Sequence, residues 1–131
     1  MYDDELDVEW SDYSYKGSYD YSSTTQVETG SYSLQADYNS WGAVHLKDNS
    51  GLDASGLNYL VFAVHTTTPG HKIRVMVNGK RHEIVPADSQ WDYFTLHLST
   101  FGNPTTISTL TFQSRASGSR TVYFDEIAFL P

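Results

Sequence analysis

Cysteine is absent from the 131 residues. No disulfide can therefore staple the fold, and no thiolate can hold a metal. The chain is long enough to bury a two-layer core without either. Basic residues are scarce: 8 Lys and Arg stand against 16 Asp and Glu, a formal net charge of −8. Such a surface repels phosphate backbones and anionic lipid, which argues against nucleic acid and membrane as partners. No apolar run approaches the ~18 residues of a membrane-spanning helix. No basic stretch followed by an apolar one opens the chain, so no signal peptide is expected there.

Catalytic signatures are missing as well. A glycosidase needs two carboxyls about 5 to 10 Å apart in a cleft, whereas the acids here gather at the N-terminus and in turns. His45, His65, His71, His82 and His97 are scattered, without the i, i+4 spacing of a zinc protease. There is no G-x-S-x-G and no thiol nucleophile.

Aromatic side chains are plentiful: 10 Tyr, 3 Trp and 6 Phe make up 15% of the chain. That is more Tyr than a core needs. Tyr tolerates partial exposure, presenting a flat apolar face and a polar tip. The surplus hints at a face for flat amphipathic ligands, with β-propensity alone as the bland alternative.

No helical period is visible. Apolar residues alternate instead, the mark of half-buried strands. Runs 31–38, 42–47, 60–65, 73–77, 81–85, 91–98, 110–112 and 121–129 all read as strands. Leu60, Phe62 and Val64 share one face, as do Ile73, Val75 and Val77. Asn78-Gly79 marks a tight hairpin, because a type I′ turn needs φ > 0 at both positions. Turn clusters such as Asp48-Asn49-Ser50-Gly51 separate the other runs. The pattern predicts one all-β domain over residues 1–131, a jelly-roll β-sandwich of two antiparallel sheets. Trp10 and Trp91 are assigned to packing.

Several short motifs occur in a telling order. Tyr2-Asp3-Asp4 leads to Trp10 and Tyr13-Ser14-Tyr15. Thr29-Gly30-Ser31-Tyr32-Ser33-Leu34 and Trp41-Gly42 follow, and Val122-Tyr123-Phe124-Asp125-Glu126-Ile127 closes the set. Over its whole length the chain resembles the jelly-roll carbohydrate-binding modules appended to glycoside hydrolases, in the style of families 4, 11 and 22. Where some of those modules carry Trp after the first Trp, this chain has Tyr13 and Tyr15. The resemblance implies a secreted, monomeric, non-catalytic module that binds polysaccharide and is attached to a catalytic domain of the same parent chain.

Sugar rings are bound by aromatic stacking on their C–H faces and by planar or charged groups at the hydroxyl edge. Trp41 matches a Trp-Gly position that stacks on sugar in such modules, and Gln113 falls where an acid or amide often stands. Tyr13 and Tyr15 would add stacking. Alternation points Arg74, Gln113 and His65 away from the core, and if their strands share the concave sheet they form a polar row. The resemblance also implies a structural calcium held by Asp3 or Asp4, the carbonyls of Thr29 and Tyr32, and Asp125. Asp125 sits in an apolar strand and needs a partner: a calcium ion, a backbone N–H or an arginine. A structural or adhesive sandwich, using the same aromatics against a protein partner, is the rival reading.

Overall fold

The computed structural model describes every residue from Met1 to Pro131. Eleven strands run in the order β1 (Tyr2–Asp3), β2 (Glu5–Leu6), β3 (Trp10–Asp12), β4 (Tyr15–Ser23), β5 (Ser33–Asp53), β6 (Tyr59–Thr66), β7 (Ile73–Val77), β8 (Lys80–Ile84), β9 (Trp91–His97), β10 (Thr106–Ser114) and β11 (Arg120–Leu130). One turn of 3-10 helix, Leu98–Phe101, follows β9. Every strand pair is antiparallel.

Runs 31–38 and 42–47 read as separate strands in the sequence; here they are one strand of 21 residues, β5. Its first part pairs with β4 and β11, its second with β3 and β10. A bend at Trp41-Gly42 divides them, with Trp41 at φ +61. The chain thereby curls into two layers. Sheet I runs β9-β6-β11-β5-β4, and sheet II runs β8-β7-β10-β5-β3. The short β1 pairs with the far end of β11, placing Tyr2 opposite Ile127.

The inner faces are those the alternation selects. Leu34, Leu60, Phe62, Val64 and Phe124 come from sheet I, and Val44, Leu46, Val75, Leu110 and Phe112 from sheet II; all are buried. Phe112 joins the layers, its ring 5.0 Å from Phe62 and 4.6 Å from Phe124. The one polar bond through this core is from the Tyr38 hydroxyl to the Phe112 carbonyl, 2.8 Å. It satisfies a phenol that could not otherwise be buried cheaply. Asn78 and Gly79 have φ of +51 and +81, as the type I′ hairpin between β7 and β8 requires. Trp10 packs as expected, buried and stacked on Phe129 with centroids 6.4 Å apart.

Candidate functional site: the outer face of sheet II

The outward residues of sheet II fall into rows set by strand register. Tyr15, Ala43, Gln113, Arg74 and Glu83 lie side by side across the sheet. The next row is Tyr13, His45, Thr111, Met76 and Arg81. The two tyrosines are two positions apart on an edge, so their rings are spaced by about 7 Å. Tyr13 is 53% exposed, Tyr15 42% and Trp41 41%. Large aromatics left open on one sheet face are an invitation to a ligand rather than part of the core.

Trp41 stands at the end of the Tyr15 row because the backbone puts it there. The β4 bulge at Lys16 and the β5 bend at Gly42 meet so closely that a Cβ on Gly42 would overlap the Lys16 carbonyl. Glycine is therefore a steric requirement at this crossing. The Trp41 N–H donates to the Ala116 carbonyl at 3.2 Å, and its own carbonyl accepts from the Gln113 amide at 3.2 Å. The guanidinium of Arg115 lies 5.0 Å from the centre of the indole ring, a cation–π contact that steadies the ring. Lys47 sits likewise 5.4 Å over Tyr13.

His45 is the polar group that alternation alone did not select. Its Nδ1 is 2.7 Å from the Thr111 hydroxyl, and its ring tilts against Tyr15 with centroids 6.5 Å apart. Burial, and then Lys47, hold it below the ordinary histidine value, so the ring is a neutral donor and acceptor near neutral pH. His65 occupies no part of this face, which corrects the expected row. Its strand, β6, belongs to sheet I, where the ring is 7% exposed between Trp91 and Tyr123. Alternation gives the side of a strand but not the sheet to which the strand belongs. Tyr13, Tyr15, Trp41, Arg74 and Gln113 are brought together as anticipated.

The acidic residues of the expected calcium set divide between two places. Asp4 accepts from the backbone N–H groups of Ser31, at 2.9 and 3.1 Å, and Tyr32, at 3.0 Å. It thus closes a turn, and Tyr32 meets it through its N–H rather than a carbonyl. Asp125 is fully buried and accepts from Glu28 at 3.1 Å, Thr29 at 3.2 Å and Glu126 at 2.9 Å. Thr29 too contributes its N–H, while its hydroxyl bonds to the Glu126 carboxylate. The carboxylates that do converge are Asp3, Asp125 and Glu126, whose ligand oxygens lie within 4.8 Å of one another. Burial raises Asp125 above the usual carboxylate range, three backbone N–H groups offset part of this, and Asp3 adds to it. Glu126 is also raised: the Thr29 hydroxyl lowers it, but burial and Asp3 outweigh that. Glu126 was not anticipated, since neighbours on a regular strand point to opposite sides. A bulge at Glu126, φ +52, turns both acids the same way.

Known proteins place this architecture. The family described as "Expansin-like protein C-terminal domain" matches residues 1–130. The chain belongs to that family. Among solved structures, this expansin-like domain is similar to a family 29 carbohydrate-binding module in complex with mannohexaose: 13% identity, 97% of this chain and 86% of that one, TM-score 0.71. A family 29 module in complex with cellulohexaose matches at 15% identity, 95% and 82% coverage, TM-score 0.69. Another family 29 module aligns at 15% identity, 95% and 80% coverage, TM-score 0.68. Among curated proteins, none is similar enough in sequence to count as a relative. At these identities the likeness establishes the fold, a carbohydrate-binding-module β-sandwich. The finer family is set by the expansin-like match rather than by the modules the sequence motifs resemble.

Proposed function

We propose that the outer face of sheet II binds a single polysaccharide chain and that the domain performs no chemistry of its own. The observation that carries this is the placement of Tyr13, Tyr15 and Trp41, all open, on one face beside Gln113, Arg74 and His45. The rings would stack on the C–H faces of successive sugars, and the three polar groups would read hydroxyls at the edge. The structurally similar family 29 modules carry mannohexaose and cellulohexaose, which supports a linear glucan or mannan as ligand, with xylan as a further option. The domain would work outside the cell as a monomer and hold the rest of its parent protein, a catalytic domain or another, on the glycan.

Affinity electrophoresis against xylan, mixed-linkage β-glucan, glucomannan, laminarin and pectin tests the reading. Retardation by at least one polymer is expected. Trp41→Ala should weaken it about tenfold, equivalent to ~1.4 kcal/mol of lost stacking. Absence of retardation throughout, with no pull-down on insoluble cellulose or chitin, would hand the aromatic face to a protein partner instead.

The Asp3–Asp125–Glu126 cluster supports a second element of the reading, a structural calcium. Three carboxylates converge where no Lys or Arg forms an ion pair with them, and oxygen donors of this kind suit a hard divalent ion. Such an ion would tie β1 to the bulge of β11.

A further inference from the structure

The sheet II face is electrically unlike the rest of the molecule. The chain carries −8 overall and has only 8 Lys and Arg. Four of these, Lys47, Arg74, Arg81 and Arg115, stand on or beside this one face. The register puts a single acid, Glu83, among them.

That acid is shared thinly. One oxygen of Glu83 lies 3.7 Å from Arg74 Nη2 and 3.3 Å from Arg115 Nε. Neither contact is the parallel two-bond pairing that a guanidinium and a carboxylate favour. The Nε groups of Arg74 and Arg115 are both buried without an accepting atom in hydrogen-bond geometry. A guanidinium has five N–H donors, so the cluster has far more donors than the protein supplies acceptors. Burial, then Arg115 and Arg81, weaken the hold of Arg74 on its proton, the expected result of crowding cations around too little negative charge. Buried donors without partners call for an explanation. Here they open onto the face where a ligand is already inferred.

We propose that this face takes an acidic polysaccharide, with sugar rings on Tyr13, Tyr15 and Trp41 and a uronate carboxylate seated on Arg74, Arg115 and Arg81. The inference rests on the polysaccharide-binding reading and adds the ligand class. The planar carboxylate of a uronic acid has the shape a guanidinium fork accepts, whereas a neutral hydroxymethyl group offers one oxygen and no charge. The Arg115–Trp41 contact couples the two parts of the site, because the cation that meets the acid also braces the stacking ring.

Calorimetric titration with three probes tests it: glucuronoxylan, the same glucuronoxylan with its carboxyls chemically reduced, and mixed-linkage β-glucan. Native glucuronoxylan should bind at least about fivefold more tightly than the reduced form. The gap should close in ~0.5 M NaCl, where the Debye length falls to a few ångström, and should narrow in Arg81→Gln, whose thermal melt confirms folding. Equal binding of native and reduced xylan, or binding of the neutral glucan with neither xylan, overturns the acidic-ligand inference and leaves polysaccharide binding standing. Failure of all three probes and of the wider polymer panel removes both.

Discussion

Two histidines are kept neutral by the fold. His45 lies on the aromatic face, while buried His71 places Nε2 2.9 Å from the Ser114 hydroxyl and meets the Tyr38 ring edge-on. Both are held below the ordinary value, by burial first, then by Lys47 for His45 and Arg120 for His71. Between those lowered values and ~6.5 the unfolded chain binds more protons than the native one, so stability rises with pH across that window. The contribution is complete above ~6.5 and is lost as pH falls through the native values. Thermal melts from pH 7.5 to 5 should therefore show a steeper loss in the unaltered protein than in His71→Gln, and parallel curves would refute the account. At this scale most of the site was legible. Tyr13, Tyr15, Trp41, Arg74 and Gln113 follow from ring chemistry, alternation and resemblance. His65 and His45 were not separable, because both stand at outward positions of alternating strands and only the sheet assignment tells them apart. Glu126 was hidden because a bulge breaks the rule by which neighbours diverge.

The bent strand β5 does the most to build the site. It carries core residues on both sides of the bend, Leu34 and Ala36 before it and Val44 and Leu46 after, and projects Trp41 from the turn. Gly42 sets the crossing, with the Lys16 carbonyl where a side chain would begin. Gly42→Ala should cost about 1–3 kcal/mol as the two backbones separate. It should also weaken glycan binding, since Trp41 moves with the bend. A denaturant midpoint and a binding titration on the same sample check both; unchanged values would mean that the bulges give way freely. The strands themselves were readable from alternation and from the Asn78-Gly79 turn. The continuity of β5 was not. Asn39, Ser40 and Trp41 interrupt the apolar pattern and read as a loop, whereas the backbone stays in the ladder and only turns.

At the scale of the whole molecule, two layers close over one core without a disulfide, and the chain opens at the surface with β1 laid against β11. Tyr2 is buried there, its hydroxyl 2.7 Å from the Tyr21 carbonyl. If calcium joins Asp3 to Asp125 and Glu126, millimolar calcium should raise the melting temperature by several degrees and chelator should reverse it. A gain of ~1–2 kcal/mol is worth about 4–8 °C per kcal/mol for a small domain and somewhat less at this size. Asp3→Asn should abolish the response with little change in the calcium-free melt. A calcium-independent melt would leave the three acids as a simple electrostatic strain. The sandwich was legible because hydrophobic parity is a local property. The distribution of strands between sheets was not, because pairing partners far apart in sequence decide it.

The first and last strands both belong to sheet I, the proposed glycan lies on sheet II, and β5 is the strand common to both. Tension applied through either end while a polymer is gripped on the far side would enter one layer and leave by the other. It would pass along the covalent backbone of β5 and through the interdigitated rings of Phe62, Phe112 and Phe124. Peeling one sheet from its neighbour would mean stretching a continuous chain rather than unzipping hydrogen bonds at an edge. The domain is thus built as an anchor whose two attachment points are joined by an unbroken cord.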